Sequence, residues 1–435
     1  MKKCLVIGGG LAGLSSAVFL SERGFNVTLL ESSPKLGGRT YSLYNKETDD
    51  YYDNGQHILM GCYNETINFL GKIKSLNKLT FQESLKICFV DKHQQIHKLN
   101  VAKYFYPLNL LYGILNFSAV KFKSRLKIID FMLDSLCCID GALDNLTAEN
   151  WLQIKNQPED ALKSLWEILI IGAMNTKPNR TSAKVFVEIL KRIFFDGNKA
   201  ATILLPATNL TDLYVDDAVS YITSKGGSVL TSQKVIKFVI KNERIINVVT
   251  DKQEFNNYDF IISSIPPYSL GKISLDTKHD NFSLDFIPEL NYSPILNIHL
   301  WLKRNPFKER FYGLIDSKIH WLFNNKKHIS LTVSSADELI NMTNEEILTL
   351  TLSELELFFP IFKQDLVDSF KVIKEKRATF IPDISSVAQR KKIKQVIGNL
   401  ILCGDWVNTG LPATIESAVL SGRLACDKVI ELIKK

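Results

Sequence analysis

The sequence predicts an α/β protein of two domains, one of them built on a doubly wound parallel sheet. Three observations carry this prediction. The chain opens with a short apolar run at 3–7, a glycine cluster and a helical-period run, followed by a second apolar run at 25–30. Similar short apolar runs return far downstream at 260–265 and 400–403, so the first domain is interrupted by long insertions. At ~150 residues per domain, 435 residues are more than one core can serve. Strand, helix, strand in the opening stretch is one βαβ unit, whose strands should be parallel and whose crossover should be right-handed.

The remaining elements follow in order. From about 72 the pattern breaks into mixed short segments, and 104–143 is long, aromatic-rich and helical in period. Residues 161–174 and 182–195 also read as helices, separated by a turn-like Asn-Thr-Lys-Pro-Asn stretch. Alternating strands fill 228–250, and a buried strand at 260–265 stops at Pro266 and Pro267. Strands are predicted at 296–302 and 329–333, a helix at 344–358, a strand at 400–403 and a last helix from about 413 to 433. The resulting division places one discontinuous domain at 1–71, 205–267 and 396–435, and a second at 72–204 and 268–395.

Composition narrows the function classes. With 46% hydrophobic and 23% charged residues the chain folds around a core, which excludes disordered and fibrous classes. A net charge of +7 without a basic block argues against a nucleic-acid partner. The 7 cysteines are odd in number and scattered, with no zinc-site spacing, so no metal is expected and the compartment is a reducing, cytoplasmic one. The first twenty residues imitate a signal peptide, but glycines interrupt the apolar run and no cleavage pattern follows. No window is apolar for long enough to span a bilayer.

Gly8-Gly9-Gly10-Leu11-Ala12-Gly13 fits G-x-G-x-x-G directly between a predicted strand and a predicted helix. Gly8 permits the tight turn, Gly10 lets a pyrophosphate approach the backbone, and Gly13 lets helix and strand pack closely. The amides of Leu11 and Ala12 belong to the helix N-terminus. Glu31 ends the second strand, where a carboxylate accepts ribose hydroxyls. Gly37, Gly38 and Arg39 follow at once, so backbone and guanidinium can reach the phosphates of an extended dinucleotide, which favours FAD over NAD.

With these residues the chain resembles the flavin amine oxidase and phytoene desaturase superfamily, whose signature is the fingerprint, the acid and then G-G-R. The resemblance implies a two-domain flavin amine oxidase-like fold, with a Rossmann-type FAD domain and a sheet-and-helix substrate domain. Cys403-Gly404-Asp405 and Gly410-Leu411-Pro412-Ala413-Thr414-Ile415 match the superfamily's second half. There Asp405 would bond the ribityl chain, and Thr414 and Ile415 would offer backbone amides to the flavin ring. Val235 joins the implied cofactor contacts. A closer resemblance lies in Asp53-Asn54-Gly55-Gln56-His57, Gly172-Ala173-Met174-Asn175-Thr176-Lys177-Pro178 and Gly410 to Ser417, which look like the hydroxysqualene dehydroxylase family. Its members reduce the allylic alcohol hydroxysqualene to squalene ahead of hopanoid synthesis, so the implied partner is an apolar isoprenoid. Ala378-Thr379-Phe380 occupies the region where some amine oxidases attach FAD through a cysteine, which argues for non-covalent FAD.

In the wider superfamily Gly55 and Gln56 bring backbone against the flavin, so His57 is either an acid near its reacting face or a hydrogen-bonded histidine at a domain junction. Trp301 and Trp321 either line an apolar tunnel or belong to the core. Aromatic and aliphatic residues from Tyr104 to Phe117, followed by Lys121, Lys123, Arg125 and Lys127, suggest contact with the inner face of the cytoplasmic membrane through 104–127. Carotenoid-type desaturation and non-catalytic lipid escort are the competing readings.

Overall fold

A computed structural model describes residues 1–103, 105–138, 141–277 and 282–434. Its organising element is a six-stranded sheet in the order Ser228–Leu230, Asn26–Leu30, Lys3–Ile7, Phe260–Ser263, Leu400–Leu402, Val396–Ile397. The first five run parallel and the last turns back antiparallel. Alternation along these strands sorts their side chains into two cores. Cys4, Val6, Val27 and Leu29 pack under the helices Leu11–Glu22 and Ile415–Lys434. Leu5, Ile7, Leu30 and Ile261 face a small sheet made by Glu254–Asn256, Arg244–Thr250, Val235–Lys241 and Ser274–Asp276. The two helices lie against each other so closely that a Cβ on Gly422 would sit 2.2 Å from the Ser15 hydroxyl.

A seven-stranded sheet carries the second half, ordered Val367–Phe380, Tyr292–Leu302, His328–Ser334, Trp321–Asn324, Phe311–Leu314, Lys86–Val90, Ile96–Asn100. Leu296, Ile298, Leu300, Leu331 and Val333 form its apolar face, covered by the helix Asn344–Phe358. The opposite face is polar: Asn297, His299 and Trp301 stand opposite Thr332, Ser330 and His328. That face looks onto the hairpin Ser42–Asn45 and Asp50–Asp53 and the loop that follows it. A helical layer including Phe122–Leu136, Ala148–Ile154, Glu167–Met174 and Ala183–Phe194 closes a further core around Phe131, Trp166 and Phe186.

Two predicted helices are interrupted. The run at 104–143 becomes two helices, Leu108–Leu115 and Phe122–Leu136, because Phe117 and Val120 turn into the core between them. Arg125 then donates to the carbonyls of Leu115 (2.6 Å) and Val120 (2.7 Å) at the break, so its guanidinium serves a turn that the sequence counted as basic collar. The run at 161–174 contains a π-turn at Leu162–Trp166 before Glu167–Met174 and ends on Asn175 in the left-handed region (φ 50°). In the sequence Asn175 reads as a turn and as part of the Gly172 to Pro178 motif, not as a tie between layers. Its buried side-chain amide donates to the Ser293 carbonyl and Thr379 hydroxyl and accepts from the Ser335 amide (2.6 Å), tying the helical layer to two strands of the large sheet and to the residue just past a third.

Candidate functional site

The site begins at the carboxyl end of the parallel sheet, where open α/β sheets bind their ligands. Gly8 adopts φ +104°, and its amide donates to the Leu30 carbonyl (2.7 Å). A Cβ on Gly13 would lie 1.9 Å from the Gly8 carbonyl oxygen, so only glycine lets helix and turn meet. Gly10, by contrast, faces open space: a Cβ there would find only the Gly38 Cα, 3.8 Å away. That opening, beside the unbonded first-turn amides of Leu11, Ala12 and Gly13, is a backbone cradle suited to phosphate.

Glu31 stands at the end of its strand with both carboxylate oxygens occupied. One accepts from the Gly9 amide (2.7 Å), the other from the Ser33 amide (2.7 Å) and the Ser32 hydroxyl (3.0 Å). Its carbonyl accepts from Gln233, two residues before Val235, which opens the adjoining strand half-buried. Gly37 and Gly38, both at positive φ, dock the next loop against the fingerprint through the Gly37 amide and the Gly9 carbonyl (2.9 Å).

Arg39 departs from the reading that sent its guanidinium to the phosphates. Nη2 meets the Asp405 carboxylate at 2.6 Å and Nη1 bonds the Ala378 carbonyl. It therefore joins the N-terminal stretch to the C-terminal one and to the long strand Val367–Phe380. Asp405 itself is buried, following Gly404 at φ +128°, whose amide is held by the Ser421 hydroxyl (2.8 Å). Thr414 caps the last helix, its hydroxyl accepting from the Ser417 amide (3.1 Å). Ile415, the first residue of that helix, keeps one of the amides that a helix start leaves without an intrahelical partner.

The third wall is the loop after the hairpin. Asp53 is buried, accepts from the Ser42 hydroxyl (2.6 Å) and the Leu210 amide (3.0 Å), and is pushed up to about 6 by burial, against those two bonds. Gly55 adopts φ +141°, and a Cβ there would strike the Asn297 amide at 2.8 Å. Asn297 in turn donates to the Asn54 carbonyl and accepts from Thr332. Gln56 turns its amide towards Asp53 at 3.5 Å.

His57 Nδ1 lies 2.8 Å from the Gly55 carbonyl, which can only accept, so Nδ1 carries the proton and the neutral ring presents Nε2 as a lone pair. Burial pushes this imidazole down to about 4, with the Arg39 charge acting in the same sense against the Gly55 bond.

The two tryptophans separate. Trp301 is 4% exposed and packs into a polar-aromatic cluster with Tyr52, His299 and His328, with Asp50 at 3.4 Å from its indole nitrogen. Trp321 remains half-buried, its ring tilted against those of Phe89 and Phe311 and reaching Gly172, where a Cβ would touch it at 3.4 Å.

The model of the flavin containing amine oxidoreductase family matches residues 11–430. The chain belongs to that family. The chain is 26% identical over 431 residues, 97% of each chain, to the hydroxysqualene dehydroxylase of Zymomonas mobilis. It is also 23% identical over 469 residues to the 15-cis-phytoene desaturase of Arabidopsis thaliana, covering 99% of this chain and 80% of that one. Among solved structures, an oxidoreductase from Methanosarcina mazei shares the fold, with a TM-score of 0.73, 18% identity and coverage of 99% of this chain and 100% of that one.

A member of the amine oxidoreductase family is a flavin enzyme, and the cradle at Gly10 and Gly38, which side chains would fill, fits a dinucleotide flavin. Three residues of this site went unread in the sequence. Asn297 sits in an ordinary strand pattern, and Arg390, whose guanidinium donates to the Asp405, Trp406 and Val407 carbonyls, sits in an ordinary helix pattern. Glu416 lies inside the quoted Gly410 to Ser417 motif, and its carboxylate accepts from the Glu65 and Thr66 amides (both 2.9 Å), capping the helix Asn64–Lys72.

Proposed function

We propose that the protein is an FAD-dependent hydroxysqualene dehydroxylase, reducing hydroxysqualene to squalene ahead of hopanoid synthesis. The observation that carries the reading is full-length similarity to proteins of that name, supported by a buried motif histidine, His57, held against the Gly55 carbonyl. We take 1–71, 205–267 and 396–435 as the FAD domain and 72–204 and 268–395 as the substrate domain. This division is supported by the six-stranded sheet drawing all its strands from the first set.

Glu31 would hold the adenosine ribose, Gly10, Leu11, Ala12 and Gly13 the pyrophosphate, and Asp405, Thr414 and Ile415 the ribityl chain and ring. When bound, FAD in its reduced form supplies a hydride to the allylic carbon that loses its hydroxyl. The hydroxyl must leave as water, so the site has to deliver one proton in a dry cavity. At rest His57 offers Nε2 as an acceptor, which orients the substrate hydroxyl; it becomes the acid once that nitrogen is protonated. Because the ring sits at about 4, the protonated fraction rises as pH falls. Non-covalent attachment is supported by Ala378-Thr379-Phe380 at the usual cysteine region, and acid or heat should release the flavin intact.

The desaturase relatives favour a second reading, carotenoid-type desaturation. Single-turnover oxidation of photoreduced, anaerobic enzyme by hydroxysqualene, set against reduction of the oxidised enzyme by phytoene, separates the two. No reoxidation by hydroxysqualene removes the dehydroxylase. A colourless, flavin-free protein would point to lipid escort.

Contact with an anionic membrane surface is part of this proposal. Among the described residues no helix is long and apolar enough to cross a membrane. Phe105, Leu108 and Tyr112, with Phe122, Leu126, Leu133 and Leu136 of the next helix, are nevertheless exposed beside Lys121, Lys123 and Lys127. Tyr104, the first residue of the suggested segment, lies outside the described residues.

A further inference from the structure

Arg390 is a buried cation that the proposed chemistry leaves unused. It is 3% exposed, sits in the last turn of the helix Ile384–Lys391, and lies over the Phe380 ring at 4.5 Å. Its guanidinium donates to three successive carbonyls, those of Asp405 (3.3 Å), Trp406 (3.1 Å) and Val407 (2.5 Å). Carbonyls return only partial charge, and the nearby Asp405 carboxylate is engaged by Arg39. Among the described residues Arg390 therefore has no ion-pair partner.

A second feature lies on the same loop. In a trans peptide the Trp406 amide points opposite to the Asp405 carbonyl, hence away from Arg390. Trp406 is 2% exposed, and no described residue accepts from its backbone amide. A buried donor without an acceptor is costly, so a ligand atom is the natural partner. The clamp thus aims a free amide outward and keeps a net positive charge just behind it. Both favour negative charge on whatever binds in front of Asp405.

We propose that Arg390 is a positioning residue that fixes the 404–407 loop for the bound cofactor and raises the flavin's two-electron potential by favouring its reduced, anionic form. The inference rests on the FAD site proposed above. It can be tested by binding rather than turnover. Apo-protein is titrated with oxidised and with reduced FAD under anaerobic conditions, and the midpoint potential of the holoenzyme is measured by dye equilibration. Wild type should bind reduced FAD at least ~10-fold tighter than oxidised FAD, and equal affinities overturn the proposal. Arg390→Gln should lose that preference, moving the potential ~30 mV or more negative for a tenfold change in a two-electron couple. Arg390→Lys, which keeps the charge, should restore most of it. A Gln variant at the wild-type potential, or a Lys variant displaced as far as the Gln variant, also overturns it. If the Gln variant does not fold, the wild-type comparison still decides. Failure of wild-type apo-protein to take up any FAD defeats the underlying site, not the role of Arg390.

Discussion

The helices Leu11–Glu22 and Phe122–Leu136 are both rich in apolar residues, yet the molecule treats them oppositely. The first is buried from Leu11 through Ser21, between the parallel sheet on one side and the last helix on the other. The second buries only Ser124, Ile128, Phe131, Met132 and Ser135, and exposes Phe122 (61%), Leu126 (49%) and Leu133 (57%) on its other side. A helix apolar all round needs two partners. Leu11–Glu22 finds both within its own chain, whereas Phe122–Leu136, which also carries Lys123, Arg125, Lys127, Asp130 and Asp134, packs one face and leaves the other to its surroundings. That contrast explains why tolerance to substitution should differ so sharply between the two halves.

The largest effect should come from breaking the sealed side. Gly13→Val places its Cβ within 1.9 Å of the Gly8 carbonyl, a backbone atom that cannot step aside. We expect loss of bound flavin and of the cooperative thermal transition, read by flavin absorbance and calorimetry; a folded, yellow variant would contradict the packing described.

Next in size is His57→Ala at matched flavin content. A positioned acid contributes ~10²–10⁴-fold, so single-turnover reoxidation by hydroxysqualene should slow within that range. With protonated His57 as the proposed acid, the wild-type rate should rise as pH falls from 8 towards the value of about 4 to which burial pushes the ring. A flat profile across that range would remove His57 from proton delivery.

Glu31→Ala tests the sealed side more gently. Charge-assisted bonds are worth ~1.5–3 kcal/mol each, so FAD should bind the apo-protein roughly 10–100-fold more weakly, read by fluorescence titration. Unchanged affinity would detach Glu31 from the ribose.

The smallest effect on stability should come from the open side. Replacing Phe122 and Leu126 by Ser removes exposed apolar surface, and exposed positions usually stay within ~0.5 kcal/mol. The melting temperature should hold while sedimentation with anionic liposomes at low salt falls at least several-fold. Equal sedimentation of the double variant would close the open face as a lipid contact.

The cofactor wall was largely legible in the sequence because its demands are local. Positive φ at Gly8, close approach at Gly13 and the acid at the end of the next strand all fall within one contiguous βαβ unit, where residue type follows from backbone geometry. The helices Leu108–Leu115 and Phe122–Leu136 were legible in composition but not in their break, since the turn at Phe117 and Val120 depends on a core assembled from residues elsewhere in the chain.

What the sequence by itself determined is therefore the Rossmann-type half, the glycine turn at its carboxyl edge, and the family resemblance carried by motifs from Gly8 to Ser417. The tertiary structure alone decided how side chains far apart meet. It turned Arg39 onto Asp405, set Asn297 against Gly55, put the Glu416 carboxylate on the Thr66 amide 350 positions away, and brought Arg390 under three carbonyls. It also chose the His57 tautomer through a single carbonyl. The physical reason is that a hydrogen bond depends on ångström-scale placement of both partners, and nothing in the local pattern of either one records where the other will be.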